Sequence, residues 1–271
     1  MTEGVRHILS LSGGKDSTAL AIYLRNRIPD LEYVFCDTQK ELRETYEYLS
    51  RLEEFLGKRI VRLSSAEDGG RGFDHFLNLY RGYLPSPRMR WCTKTLKIQP
   101  FEKYIGDAKV YMYIGIRADE NREGYISTKQ NITPMYPFKT EGITKMDVMR
   151  ILQESGLGLP EYYKWRTRSG CFFCFFQRKI EWVGLLENHP DLFQEAINYE
   201  KPSAGYTWIQ RESLAELSDP LRVEEIKREE LKRREQAKAR QRPRNLAQVF
   251  AEDGDALPED ENEPGCNICH V

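Results

Sequence analysis

This sequence predicts an α/β protein: a parallel sheet covered by helices, followed by a smaller helical C-terminal subdomain. Three observations carry that expectation. Strand-like and helix-like runs alternate through the first two-thirds of the chain, the pattern of a parallel sheet with crossover helices. Three stretches rich in Gly, Asp, Thr and Arg fall where strands end, and ligands of such sheets gather at the carboxyl ends of strands. From about Ile143 the apolar spacing becomes helical.

The elements follow in order. "RHILSLS" reads as a buried strand, followed by a glycine turn and the helix "DSTALAIYLRNR". "LEYVFCDT" is a second strand, leading to a helix over Glu41–Phe55, and "KRIVRLS" is a third. A helix near Lys94–Tyr104 precedes the fourth strand, "AKVYMYIGIR". Three helical runs come next: "ITKMDVMRILQESG", "RKIEWVGLLENHP" and "DLFQEAINYE". Leu221–Arg244 carries ten Lys or Arg against five Glu and reads as a solvated helix. Glu252–Glu263 is acidic and poor in apolar residues, so it is expected to be mobile. The expected units are a nucleotide-binding domain over 1–142, a helical cysteine-containing subdomain over 143–220 and a charged helix with tail over 221–271.

The bulk composition narrows the class. The chain has 271 residues, 40% hydrophobic and 31% charged, with room for a substantial core. No run approaches the roughly 18 apolar residues of a membrane helix, and "MTEGVRHILS" lacks the layout of a signal peptide. The expectation is no membrane and a reducing cytoplasm. There, six cysteines are ligands, reactive thiols or core residues rather than disulfides. A net charge of -1 selects no partner.

"SLSGGKDST" follows the first strand and opens the first helix. Gly13 and Gly14 let the backbone turn tightly and bring its N–H groups to an anion, and the helix N-terminus adds a favourable dipole. Ser12 and Ser17 offer hydroxyls and Lys15 a point charge. Asp16 is out of place in a simple anion cradle unless it helps hold Mg²⁺ beside phosphates. The spacing is not that of a Walker A loop.

Among the cysteines, Cys36 lies in a strand and reads as a small core residue. Cys92 sits among Arg88, Arg90, Lys94 and Lys97, and positive neighbours favour its thiolate. Cys171 and Cys174 form a C-x-x-C inside "GCFFCFF". Joined with Cys92 they make three soft ligands for an iron–sulfur cluster, leaving one iron open. Joined instead with Cys266 and Cys269 of "GCNICHV" they make a tetrahedral zinc site. Redox and core roles stay open beside these two. In the cluster reading Phe172, Phe173, Phe175 and Phe176 exclude solvent.

Several of these strings resemble one known group. "SGGKDS" resembles the PP-loop of the ATP pyrophosphatase superfamily, which implies a Rossmann-like (adenine nucleotide alpha hydrolase-like) domain that binds ATP and releases pyrophosphate. "VFCDTQKELRET" and "YIGIRADENREGY" resemble its phosphoadenylylsulfate (PAPS) reductase branch. That resemblance gives Asp37, Thr38, Gly115, Arg117 and Arg122 a nucleotide-side role, with Lys15, Asp16 and Arg117 as catalytic candidates. "CTKTLKIQP" and "RSGCFFCFFQRKIEW" are similar to the DndC-like DNA phosphorothioation proteins of that branch. These imply a [4Fe–4S] cluster on Cys92, Cys171 and Cys174, DNA as substrate, a cysteine desulfurase as sulfur donor and other modification-system proteins as partners. Iron–sulfur sulfonucleotide reductases carry two adjacent cysteines where this chain has Cys92 alone, and the reductase string Glu-Cys-Gly-Leu-His is absent. A PAPS or APS reductase and a tRNA-thiolating enzyme stand as the alternatives. Arg81–Lys97, Arg166–Lys179 and Leu221–Arg244 can meet phosphates or form solvated surface.

Overall fold

The computed structural model describes residues 4–65, 72–121 and 129–240. Arg122, the acidic stretch Glu252–Glu263 and the Cys266/Cys269 pair lie outside the described residues. In chain order, β1 (Arg6–Leu11) leads through the glycine loop to α1 (Lys15–Leu24), then β2 (Glu32–Asp37), α2 (Arg43–Leu56) and β3 (Ile60–Ser64). Next come α3 (Phe73–Leu79), a short turn α4 (Trp91–Thr93), a π-helical turn over Lys94–Ile98, and α5 (Gln99–Ile105). β4 (Val110–Tyr113), β5 (Ile132–Met135), α6 (Pro137–Thr140) and α7 (Lys145–Glu154) complete the sheet layer. The helices α8 (Lys179–Asn188), α9 (Pro190–Tyr199), α10 (Leu214–Leu217) and α11 (Pro220–Arg240) follow.

The five strands form one sheet in the order β3-β2-β1-β4-β5, and every pairing is parallel. β1 is central, and its side chains alternate between two cores. Ile8 packs with Val34, Phe101 and Met112 on the α5 face. Leu9 packs with Leu20, Leu49 and Val148 on the face covered by α1, α2 and α7. Both faces are dry, which explains the near-continuous apolar strand sequences.

Several elements depart from the expectation. β5 reads "ITPM" and is too short to register as a strand; its Pro134 is tolerated because β5 is an edge. The expected helix near Lys94–Tyr104 is interrupted by the π-turn, in which Gln99 N–H reaches back to Lys94 O. Pro100 follows and has no N–H to continue an α-helical ladder. The helix α7, expected to open the second subdomain, buries Val148 and Leu152 with the sheet residues Leu9 and Tyr33. A third core lies beyond the sheet. It joins Phe73 and Trp91 to Phe172, Phe173, Trp182, Trp208 and Ile226.

Candidate active site

The loop Ser12–Ser17 leaves β1 where β2 lies to one side and β4 to the other, the crossover point at which sheets of this type bind ligands. Ser17 braces it. Ser12 N donates to Ser17 Oγ at 3.2 Å, and that hydroxyl donates to Gly14 O at 3.2 Å. Gly115, just past β4, is pressed against the same loop. A Cβ there would stand 2.9 Å from Asp16 O and 3.1 Å from Ser17 N, both backbone atoms that cannot retreat.

Asp16 is only 7% exposed and is held between two cations. Lys15 Nζ lies 2.5 Å from one oxygen and Arg117 2.9 Å from the other. Arg117 also pairs with Asp119 and Glu120, each at 2.9 Å. Burial works against the Arg117 charge, but Asp16 and Glu120 outweigh it and push its pKa above the ordinary value. The guanidinium therefore stays charged at the loop. A Mg²⁺ ion held by Asp16 would share its carboxylate with these two cations.

At the end of β2, Asp37 Oδ1 accepts from Gln39 N at 2.7 Å and from Tyr46 Oη at 2.8 Å. Thr38 Oγ1 donates to the buried Glu41 at 2.9 Å and lies 3.2 Å from Cys171 Sγ. That contact opens the second half of the site.

Cys92, Cys171 and Cys174 line one pocket with Thr38, Lys97 and the rings of Phe173, Phe175 and Phe176. It encloses about 440 Å³, part of it open to solvent. Cys92 is positioned by its neighbour Trp91, whose ring stacks on Phe73 and Tyr80 and whose Nε1 donates to Tyr83 O at 3.0 Å. The π-turn then brings Lys97 to the pocket. Arg166, 1% exposed, ties the other segment by donating to Gly170 O at 3.1 Å and Cys171 O at 2.8 Å. Cys174 N donates to Cys171 O at 3.1 Å, closing the C-x-x-C turn.

Burial, reinforced by Glu41, pushes the Cys171 thiol well up, so metal coordination is what would deprotonate it. Cys36 is not in the lining. It is 3% exposed, its thiol approaches Lys97 O at 3.5 Å, and burial pushes it up to about 12. The phenylalanines divide: Phe172 is core, Phe173 serves both core and pocket, and Phe175 and Phe176 are pocket wall.

The donor set fits an iron–sulfur cluster: three thiols on two segments, with no imidazole or carboxylate in the lining among the described residues. Among the described residues no three His, Cys, Asp or Glu side chains converge on a single metal ion. Cluster ligands bind separate irons and need no such convergence. The zinc alternative depends on Cys266 and Cys269, outside the described residues.

Both halves of the site meet in one segment, residues 162–172, called here the strap; sequence reading named its second part, from Arg166, but passed over residues 162–165 and the link to the glycine loop. Tyr162 Oη donates to Gly13 O at 2.9 Å, Lys15 N donates to Tyr163 Oη at 3.1 Å, and Ser169 Oγ donates to Ser12 Oγ at 3.1 Å. No spacing rule announces hydroxyls that reach a loop 148 residues away. Much of the expected basic surface is already paired. Arg178 meets Glu230, Lys179 and Arg222 meet Glu212, and Arg233 and Arg234 meet Glu230. Arg90 and Arg168 stand over the Phe176 ring, at 5.1 and 5.9 Å, beside the pocket.

Glu181 anchors the strap to α8. Fully buried, it accepts from Thr167 N at 2.8 Å, Thr167 Oγ1 at 2.6 Å and Arg178 N at 3.0 Å. Burial pushes its pKa up, but the Thr167 hydrogen bond and the Arg166 charge outweigh it and hold the carboxyl below its ordinary 4.5. A depressed carboxylate contributes fully above its unfolded pKa and is lost as pH falls. Glu181→Gln is expected to cost about 1–3 kcal/mol in thermal unfolding at neutral pH. The gap to wild type should narrow as pH drops below 4.5; a gap independent of pH would show that the carboxylate charge is not what anchors the strap.

The fold and the loop define an α/β protein with a glycine loop at the crossover point of a parallel sheet and a thiol pocket attached. The chain belongs to the phosphoadenosine phosphosulfate reductase domain family, which it matches over residues 6–174, a family of sulfur-related, nucleotide-using enzymes. It is similar to an uncharacterised protein of Methanocaldococcus jannaschii, 26% identical over 203 residues, covering 71% of this chain and 47% of the relative. It is also similar to an adenosine 5'-phosphosulfate reductase of Staphylococcus haemolyticus, 26% identical over 120 residues, covering 44% of this chain and 48% of that protein. The chain spans about half the length of the curated relatives it matches first. The PAPS reductase of Candida auris, solved as a phosphate complex, shares the fold with a TM-score of 0.50 at 12% identity, covering 62% of this chain and 82% of that one. Among the described residues, no helix is long and apolar enough to cross a membrane.

Proposed function

We propose that this chain is an ATP-dependent sulfur-inserting enzyme of the DndC-like kind. It would have ATP pyrophosphatase activity, a [4Fe–4S] cluster on Cys92, Cys171 and Cys174, and a DNA backbone phosphate as acceptor. The observation that carries the reading is the strap, which holds Cys171 in the thiol pocket and bonds the glycine loop two residues earlier. A fold that ties a phosphate loop to three soft ligands suits chemistry that needs nucleotide and sulfur together.

In this reading the N–H groups of the loop and the charge of Lys15 hold the ATP phosphates. The acceptor oxygen attacks the α-phosphorus and pyrophosphate leaves. Lys15 and Arg117 stabilise the charge that develops on the leaving group. Arg117 is kept charged and in place for this by its three carboxylates. Sulfur then displaces AMP from the activated acceptor, so one oxygen departs with AMP and one sulfur replaces it. The cluster, when bound, supplies a site from which sulfide is delivered. Phe175 and Phe176 limit water there, and Arg90 and Arg168 offer charge to an approaching backbone phosphate. A cysteine desulfurase supplying the sulfur, further modification-system proteins and a cytoplasmic setting belong to the same reading.

The family match and the Staphylococcus relative favour a second reading, sulfonucleotide reduction. One experiment separates the two. Anaerobically purified protein is expected to release pyrophosphate from ATP in the presence of DNA. Sulfite release from PAPS or APS without pyrophosphate release from ATP would instead establish the reductase.

A further inference from the structure

We propose that the Tyr163 hydroxyl is a displaceable stand-in for nucleotide phosphate on the glycine loop, with Ser169 filling the space beside it, so that ATP binding shifts the strap that carries Cys171. The inference rests on the reading of Ser12–Ser17 as the ATP phosphate site.

The first N–H groups of a helix have no partner within the helix. That of Lys15, the first residue of α1, donates to Tyr163 Oη at 3.1 Å. Beside it, Ser169 Oγ donates to Ser12 Oγ at 3.1 Å. Both hydroxyls press on the loop: a Cβ on Gly14 would stand 2.7 Å from Ser169 Oγ and 3.2 Å from Tyr163 Oη. A phosphate oxygen bound to the Lys15 N–H competes with Tyr163 for the same donor and the same space. Burial, and next the Asp16 charge, push the Tyr163 phenol up, so it stays neutral. A neutral hydroxyl is a weaker acceptor than a phosphate oxyanion, and the exchange runs towards phosphate.

The displacement cannot stay local. Arg166 grips the carbonyls of Gly170 and Cys171, so the piece from Arg166 to Cys171 moves together. Its far end carries the Cys171 thiol against Thr38. Nucleotide occupancy and the geometry of the thiol pocket are thereby linked, and the linkage is reciprocal.

The test uses the full-length holoprotein and a non-hydrolysable ATP analogue, with affinity read by calorimetry. Tyr163→Phe removes the competing acceptor and leaves the ring. It is expected to bind the analogue about 2- to 10-fold tighter, the scale of one hydrogen bond. Ser169→Ala is expected to tighten binding in the same direction and serves alone if Tyr163→Phe does not fold. In the wild type, the analogue should speed amide hydrogen exchange across residues 162–172. Wild-type binding with equal or weaker affinity in both variants overturns the stand-in and leaves the loop assignment intact. A wild type that binds no analogue overturns both.

Discussion

Cys174→Ser is expected to remove the iron–sulfur chromophore and abolish sulfur transfer while the chain stays folded and still binds nucleotide. The substitution preserves size and keeps the turn, since the hydrogen bond that closes it runs from Cys174 N to Cys171 O and involves no sulfur. What changes is the donor, from a soft thiolate to a hard hydroxyl that iron–sulfur clusters do not select. Cys92→Ser and Cys171→Ser should behave alike, because all three line one pocket. Cys36→Ser supplies the contrast: its thiol faces Lys97 O outside the lining, so iron and acid-labile sulfide should stay at wild-type levels. Retention of the full cluster in Cys174→Ser would refute the ligand assignment. Zinc without iron in the anaerobic wild type would refute the cluster.

The second large effect is on the loop. Asp16→Ala is expected to lower pyrophosphate release by at least about a hundredfold with iron content unchanged. Asp16 is a nearly buried anion that fixes Lys15 on one side and Arg117 on the other. Removing one partner of such a pair leaves charge uncompensated, at a local cost of about 3–5 kcal/mol. Arg117 retains Asp119 and Glu120, so the fold should survive while the cation drifts from the position where pyrophosphate leaves. Turnover within about threefold of wild type would remove Asp16 from the catalytic machinery.

Much of this architecture could be read from the chain because four strands carry apolar runs and three of them end in chemically distinctive turns. β5 could not, since four residues with a proline give no period to read. Nor could the placement of α7: periodicity reveals an apolar face but not what covers it, and Val148 faces the sheet. In the site, the glycine loop and the count of soft ligands follow from residue type and spacing. The strap does not, because the reach of Tyr163 to Lys15 is a product of the tertiary fold. Charge was the least readable property. Arg166, read as a cation that meets phosphate or solvent, is a buried clamp on the cysteine turn.

The family match stops at residue 174, but the packing does not. The Phe173 ring sits 4.2 Å from Phe73 on one side and stacks at 5.0 Å on Trp208 on the other. That aromatic column runs across the boundary and continues through Trp182 to Leu214 and Ile226. A graft or truncation that honours the sequence boundary would cut the column in half and leave the thiol segment without its backing. The transplantable module therefore ends beyond Ile226, and the family resemblance marks ancestry rather than a place to cut.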